Sequence, residues 1–357
     1  MIPLSMAFVC MCICPGLTSN SQITKLIVCA GFLMLASPVL PSRPTLTRCL
    51  VVAWLVWATI GCVMSDNWQI AIYGFHLRYE GLCTYVLAVI GASLFWRQPR
   101  IMWIVGLLAF VASAFTVMDL AMPTILINWI GIPNIAQAAL FSVAAVIMYG
   151  IQRPFALICV PPLIWTANRS AIFAVCAGIA VIEALRWNRA SRSKVALWLV
   201  LAVVGCVVAM VSPIRKRLEA TGATLTGARI QWMMQADTIA RHHLPLFGLG
   251  LDTESKWLKP PKSGYYEREV GRDTICDRTH NLGFDMILQT GWVGYTLALL
   301  ALGAAAAVTV KHRSPVNVTC LAGLVAFVAF GMLNPLGVPA LVLAVGCLWG
   351  IKEEDDK

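Results

Sequence analysis

The sequence predicts an all-α polytopic integral membrane protein, with about 12 transmembrane helices and one long loop segment that contains short helices. Hydrophobic residues make up 59% of the 357 residues and charged residues only 12%, well below the roughly 25% usual in soluble domains. Apolar runs long enough to be spans recur from end to end, and a helix needs about 20 mostly apolar residues to cross a bilayer. Open strands cannot satisfy their backbone groups in lipid, so we expect helices.

The apolar runs give the domain organisation. Nine precede the long polar segment, at 2–17, 26–41, 49–65, 81–96, 101–118, 134–151, 155–167, 171–186 and 195–212. Three follow it, at about 282–310, 316–333 and 336–351. We therefore divide the chain into residues 1–212 with helices 1–9, a loop segment 213–281, and residues 282–357 with helices 10–12 and a charged tail. The seventh run contains Pro161-Pro162, which must break or kink it.

The basic residues predict the orientation. Twelve of them fall in alternate gaps, at 43–48, 97–100, 153, 186–194, 311–313 and 352, whereas the intervening short gaps carry only Lys25, Arg78 and Arg169. Short basic loops stay in the cytoplasm. The basic residues of the segment 213–281 do not count against this pattern, because long translocated loops are largely exempt from the rule. Twelve spans then place both termini in the cytoplasm and the segment 213–281 on the outer side, together with Arg78 and Arg169.

Composition argues against two other classes of site. The net charge of +10 would raise nucleic acid as a partner for a soluble protein. In this chain the basic residues mostly orient helices, and no basic stripe is interleaved with aromatic residues, so we expect no nucleic-acid binding. Of the 13 cysteines, only Cys276 lies in the polar segment, and none has metal-ligand spacing. We therefore expect no metal site and no cofactor.

Two arginines lie at the predicted outer edge of the hydrocarbon. A cation at that depth costs about 3 kcal/mol on insertion scales and marks a functional site, unless the side chain simply snorkels to the interface. That alternative stays open for Arg78. Arg169 is the only charge between Pro154 and Glu183 and stands at a predicted helix start, after Asn168. A cation, a capping residue and a helix dipole together favour an anion such as phosphate.

His280 is the best acid–base candidate in the polar segment. Its ordinary pKa of about 6.5 suits proton transfer near neutral pH. Asp277 and Asn281 are close enough in sequence to orient its ring. The alternative is a structural histidine.

Arg229 stands near the start of a predicted amphipathic helix that runs to about Arg241. In one interpretation this is a surface helix that lies on the membrane, with Trp232, Met233 and Ile239 facing inward. In the other, Arg229 reaches the same anion as Arg169. The spacing does not decide between them.

Glycines punctuate the end of the polar segment and the run that follows it. Gly248 and Gly250 suit a tight turn, and a phosphate cradle is the alternative. Gly291 and Gly294 follow inside the next apolar run.

These residues together resemble the O-antigen ligase and O-antigen polymerase family of bacterial inner-membrane glycosyltransferases. The resemblance covers residues 70–300 and depends on the order of five pieces rather than on any one of them. The pieces are Arg78-Tyr79-Glu80-Gly81, Asn168-Arg169-Ser170, Arg229-Ile230-Gln231-Trp232, Pro245-Leu246-Phe247-Gly248-Leu249-Gly250, and Thr279-His280-Asn281 with Gly291 and Gly294.

The resemblance implies a donor glycan carried on undecaprenyl pyrophosphate and a transfer on the periplasmic face, without a metal or a nucleotide sugar. The acceptor is lipid A-core in ligases and a second lipid-linked glycan in polymerases, while a protein hydroxyl is a further alternative. The implied partners are therefore these glycolipids and the membrane lipids. Carried over by position, His280 is the base and Arg169 and Arg229 stabilise the diphosphate. The remaining substrate-binding residues are Arg78, Glu80, Asn168, Gly248, Gly250, Asp277 and Asn281.

The implied chemistry is physically coherent. Pyrophosphate is a good leaving group, so fixed arginines need only neutralise the charge that grows on its oxygens. Direct displacement with a histidine base inverts the anomeric carbon, whereas a retaining route needs a carboxylate nucleophile, for which Asp273 and Asp277 are the nearest candidates. Thr279 and Ser170 depart from the common family pattern and leave the subtype open.

Two other classes of protein fit twelve spans. A transporter or flippase tends to place charges near the midplane and to repeat its halves, and neither feature is evident in this sequence. A scaffolding subunit could use the segment 213–281 for docking, but it would not need arginines at three separate outer positions.

Overall fold

The computed structural model describes residues 45–75, 80–95, 134–151, 153–160, 163, 168–186, 230–259, 278–334 and 338–352. Within these ranges the regular secondary structure is entirely helical. The predicted spans at 2–17, 26–41, 101–118 and 195–212 lie outside the described residues, so the number of twelve spans stays a prediction.

The helices of the described ranges are numbered in chain order. They are α1 Leu46–Met64, α2 Trp68–Tyr73, α3 Leu82–Phe95, α4 Asn134–Ile151, α5 Arg169–Leu185, α6 at 230–242, α7 Leu282–Lys311, α8 Pro315–Gly331 and α9 Val338–Gly350. Short 3-10 helices cover Arg153–Cys159 and Glu254–Lys256. By length and composition α1 and α7 can cross a membrane, while α4, α5 and α8 are shorter apolar helices.

Among the described helices, α8 lies at the centre. It packs on α4, α5 and α9, while α1 packs on α7 and α3 packs on α9. Small residues allow the close approach that helix pairs in membranes require. A methyl group on Gly178 of α5 would lie 2.6 Å from a methyl of Val146 in α4, and one on Gly150 would lie 2.3 Å from the hydroxyl oxygen of Thr319 in α8.

One end of the bundle is joined by polar contacts between helix termini. Arg48 of α1 donates to the carbonyl of Trp349 in α9 at 3.3 Å. The side chain of Asn317, in the first turn of α8, accepts from the amide of Lys352 at 3.0 Å. Arg186, after α5, donates to the first carbonyl of α8 at 3.4 Å. All of these helix termini are predicted to be cytoplasmic. They lie together at one end of the bundle, as expected if successive spans alternate in direction.

α7 has nearly the bounds of the run predicted at about 282–310, but it is not one continuous helix. Gly291 has φ 69° and ψ 178°, outside the helical region. Three donors satisfy the carbonyls next to the break. Leu249 N donates to Leu288 O at 2.7 Å and Gly250 N to Gln289 O at 3.1 Å, and the Trp57 indole donates to Thr290 O at 2.9 Å. The part after the break, 292–311, is still about 30 Å long, enough to cross a bilayer.

Candidate active site

His280 lies in the short connection that enters α7, at the bundle end opposite to Arg48 and Trp349. Asn281 is the N-cap of α7, and its side-chain oxygen accepts from the amides of Gly283 and Phe284 at 3.0 and 3.2 Å. His280 itself has φ 60°, a left-handed conformation that costs free energy for a residue with a side chain. Such outliers cluster at functional sites.

The ring of His280 stacks on the indole of Trp232 in α6. The ring centroids are 5.1 Å apart and the planes are inclined by 14°. α6 buries Trp232, Ala236 and Ala240 against the first part of α7, so the inward face predicted for this amphipathic helix is confirmed for Trp232. The helix packs on protein at this face and is not simply a helix lying on a membrane surface.

A buried ion cluster, the Arg278 cluster, lies two residues before His280. The Arg278 guanidinium contacts a carboxylate oxygen of Glu80 at 2.7 Å and one of Asp252 at 3.0 Å, and the three side chains are 4%, 3% and 1% exposed. The second oxygen of Asp252 accepts from the amides of Phe75 and Glu80 at 2.6 and 3.1 Å. Asp252 therefore joins the two ends of the segment 76–79 to the residues before His280.

The carboxyl groups of Glu254 and Asp285 also lie close to the Arg278 cluster. Burial raises the pKa of Glu254 well above its ordinary value, the positive charge of Arg278 opposes this, and the negative charges of Asp285 and Asp252 reinforce it. Glu254 also accepts a hydrogen bond from Gln289 of α7. Burial lowers the pKa of Arg278, but the surrounding carboxylates outweigh it and hold this pKa well above its ordinary value.

The starts of α5 and α7 converge on the end of α8. Asn168 is the N-cap of α5 and accepts from Ser170 N at 2.9 Å, which confirms the helix start predicted there. Asn334, beyond α8, donates to the Ser170 hydroxyl at 2.5 Å and to the side-chain oxygen of Asn168 at 3.4 Å. Two residues earlier, Met332 O accepts from the side chain of Asn281 at 3.2 Å.

The predicted site residues divide into two groups. His280, Glu80, Asn168, Asn281, Gly248 and Gly250 lie in the described ranges, whereas Arg78, Arg229 and Asp277 lie outside them. Arg169 is described only as the first residue of α5. Glu80 is buried in the ion pair with Arg278, and Asn168 and Asn281 cap helices, so these three side chains hold the site together in this structure.

Gly248 and Gly250 pack against the break in α7. Both have positive φ, 79° and 97°, and a methyl group on Gly248 would lie 2.4 Å from Gln289 O. The amide of Gly248 donates to Pro245 O at 2.9 Å and that of Gly250 to Gln289 O at 3.1 Å. This geometry favours the turn interpretation over the phosphate cradle, because both amides already donate within the protein.

A cavity of about 180 Å³ lies beneath the Arg278 cluster. Its polar end is formed by Glu80, Arg278, Asp285 and Gln289, and the rest of its lining is almost entirely apolar. The apolar lining comes from α1, α3, α7, α8 and α9, including Val51, Tyr85, Leu302, Phe327 and Leu348.

Among the described residues, no group of three or more His, Cys, Asp and Glu side chains could hold a metal ion. The carboxylates of Glu80 and Asp252 instead pair with the guanidinium of Arg278.

Sequence reasoning does not assign Arg278, Asp252 and Trp232 to the site. Residues 252 and 278 are 26 apart, and Glu80 is 172 residues from Asp252. The sequence does show that the charged residues Glu80, Asp252 and Arg278 lie next to the predicted motifs. Charges of opposite sign that border apolar segments often pair with one another when they are buried.

Comparison with known proteins supports the resemblance. Residues 154–299 match the family described as O-antigen ligase, a range that contains α5, α6 and the connection with His280. No curated protein matches the chain.

Proposed function

We propose that this chain, which carries an O-antigen ligase domain at residues 154–299, is a membrane glycosyltransferase that moves a glycan from undecaprenyl pyrophosphate to an acceptor. In the proposal the acceptor is lipid A-core, the active site faces the periplasm, and the chain lies in the bacterial inner membrane with both termini in the cytoplasm. No metal takes part.

One observation carries the proposal: described residues that flank all three candidate arginines converge on the turn with His280. Glu80, two residues after Arg78, pairs with Arg278, two residues before His280. Asn168 and Ser170 flank Arg169 and are linked to Asn281 through residues 332–334.

Residues just after Arg229 also reach this turn. Arg229 precedes the first residue of α6, and Trp232 of that helix stacks on the ring of His280. We therefore assign all three arginines to one diphosphate leaving group, because fixed guanidinium groups stabilise charge as it grows on the phosphate oxygens.

In this arrangement each residue has one task. The guanidinium groups of Arg78, Arg169 and Arg229 bind the diphosphate and stabilise its departure. His280 accepts the proton of the acceptor hydroxyl as that oxygen attacks the anomeric carbon, and the reaction inverts the configuration. The apolar cavity beneath Arg278 suits the hydrocarbon of a lipid-linked donor.

The test separates binding from proton transfer. In one nanodisc preparation, donor affinity and turnover are measured for Arg169→Lys and His280→Ala. Arg241→Lys and His243→Ala are the matched controls, because both residues are exposed in the loop segment 213–281. Arg169→Lys keeps the charge but loses the bidentate geometry, so donor affinity and turnover both fall.

For His280→Ala, donor affinity stays near that of the wild type while turnover falls by about 10² to 10⁴ fold. Near-normal turnover in a folded His280→Ala protein contradicts the general-base role. The glycolipid profile of a deletion strain then tests the acceptor. Loss of glycan on lipid A-core, with lipid-linked polymer accumulating, supports the ligase, whereas a shift to single-repeat caps identifies a polymerase.

A further inference from the structure

A closed hydrogen-bonded turn holds His280 from both sides. The hydroxyl of Thr279 donates to Asp285 Oδ1 at 2.6 Å, and the amide of Thr279 donates to the same oxygen at 3.0 Å. On the other side of His280, the amide of Asn281 donates to the Thr279 hydroxyl oxygen at 3.2 Å. Asp285 N donates to Asn281 O at 2.9 Å, which closes the ring of contacts.

The position of Asp285 makes this turn rigid. Asp285 is only 3% exposed, and it belongs to the first turn of α7, which Asn281 caps. Its carboxylate is therefore fixed by the helix and receives two donors from one residue. A hydrogen bond to a charged acceptor is roughly twice as strong as a neutral one, so Asp285 is the strongest anchor of Thr279 in this turn.

The backbone of His280 needs such an anchor. Its φ of 60° lies in the left-handed region, which a residue with a side chain adopts only when its surroundings determine it. The direction of the bond from Cα to Cβ follows from that backbone conformation, and the ring then reaches the indole of Trp232. If the turn relaxed to an ordinary negative φ, the ring would point away from its present place.

We propose that Asp285, acting through the hydroxyl of Thr279, is a positioning residue that holds the imidazole of His280 against Trp232 in the orientation needed for proton transfer. This inference rests on the proposed function, in which His280 is the base. A displacement of about 1 Å at a reacting group can lower the rate by 10² fold. Loss of the Thr279 hydroxyl should therefore affect kcat far more than donor binding.

The test compares Thr279→Val, which removes the hydroxyl at nearly constant volume, with Thr279→Ser, which keeps it. The matched control is Thr296→Val, because the Thr296 hydroxyl donates within α7 to Trp292 O at 2.8 Å and is exposed. We expect kcat to fall by about 10 to 100 fold in Thr279→Val, with the KM for donor within about threefold of wild type. Thr279→Ser and Thr296→Val should keep kcat within about threefold.

A second readout follows the ring without turnover. Carbethoxylation of His280 by diethyl pyrocarbonate, measured by mass spectrometry of its peptide, should change in rate in Thr279→Val and not in Thr279→Ser. If Thr279→Val does not accumulate in the membrane, Thr279→Ala removes the same hydroxyl. Unchanged kcat and an unchanged modification rate in a folded variant without the hydroxyl would overturn the positioning role.

The general-base role of His280 and the positioning role of Asp285 can be refuted separately. If His280→Ala keeps its turnover while Thr279→Val changes the modification rate, the turn does hold the ring and the general-base role is refuted. If His280→Ala is inactive and Thr279→Val behaves as wild type in both measurements, the base stands and the role of Asp285 is refuted.

Discussion

The break in α7 at Gly291 allows one sharp test of how the loop before His280 is held. We consider Gly291→Ala, which adds a single methyl group. Gly291 has φ 69° and ψ 178°, a region that is almost confined to glycine. The new methyl would lie 2.3 Å from Leu246 O and 3.0 Å from Gly248 N. Both obstructing atoms belong to the backbone, so neither can turn away as a side chain would.

The expected loss of stability has two parts. Holding a residue with a side chain in this conformation costs about 1 to 3 kcal/mol, and forcing an extra methyl into a packed place costs about another 1 to 3 kcal/mol. We therefore expect Gly291→Ala to lower the free energy of unfolding by about 2 to 6 kcal/mol.

The same helix provides a matched control. Gly303 is also in α7, and a methyl group there would have no atom within 4 Å. Alanine is favoured over glycine in a helix by about 1 kcal/mol, so Gly303→Ala should be neutral or stabilising. Unfolding is measured in detergent by the exposure of the buried thiols of Cys62, Cys320 and Cys347 on heating.

We expect the unfolding midpoint of Gly291→Ala to fall by several degrees and that of Gly303→Ala to stay at or above wild type. Because the displaced loop leads to Leu249 and Asp252, turnover should fall in Gly291→Ala as well. Equal midpoints for the two variants would refute the idea that the break in α7 requires glycine at position 291.

Three further predictions concern the Arg278 cluster, the neighbouring Glu254 and the orientation of the chain in the membrane. Arg278→Met leaves two buried carboxylates without their cation, so the free energy of unfolding should fall by about 3 to 5 kcal/mol. Arg241→Met removes an exposed ion pair and should change the free energy of unfolding by less than about 1 kcal/mol. Similar losses for both variants would contradict the stabilising role of the Arg278 cluster. Burial raises the pKa of Glu254 in the folded protein above that of an unfolded carboxyl. The protonated form of Glu254 therefore stabilises the fold. This stabilisation is fully present below the unfolded pKa and is lost as pH rises through the folded pKa. Glu254→Gln should therefore flatten the decline of the unfolding midpoint towards high pH, and a decline equal to wild type would contradict this role. The orientation is tested with a membrane-impermeant maleimide in a background without Cys49, Cys176 and Cys276. The reagent should label Thr238→Cys in intact spheroplasts and Arg313→Cys only after lysis. The reverse pattern would show that the orientation in the membrane is inverted.

Periodic and local features of the fold could be predicted from the sequence. The helix start after Asn168 depends on a contact within two residues, and the inward face of α6 at Trp232 follows from the spacing of the apolar residues in that helix. Such features are visible in short patterns of polar and apolar residues. The short helix α2 could not be predicted, because its six residues lie in a semi-polar stretch and are too few to show a period.

The break at Gly291 and the Arg278 cluster could not be predicted in the same way. The sequence around a glycine in an apolar run looks the same whether or not the helix continues through it. In this chain the packing of residues 246–250 against Gly291 accompanies the break. The Arg278 cluster joins residues that the chain separates by up to 198 positions. No local pattern contains that pairing, although the separate charges can be seen. Which groups are ion-paired and which meet the substrate is decided by tertiary packing alone.

The polar join between α1 and α9 has a consequence for biogenesis. Arg48 and Trp349 are 301 residues apart, so at about 5 to 20 residues per second the ribosome makes Trp349 roughly 15 to 60 s after Arg48. Trp57 and Thr290 are likewise 233 residues apart. α1 must therefore wait in the bilayer for its final neighbours, and a chain that stops before α9 never acquires the contact between Arg48 and Trp349. The turn with His280 is therefore completed late, after the helices that surround it have been inserted into the membrane.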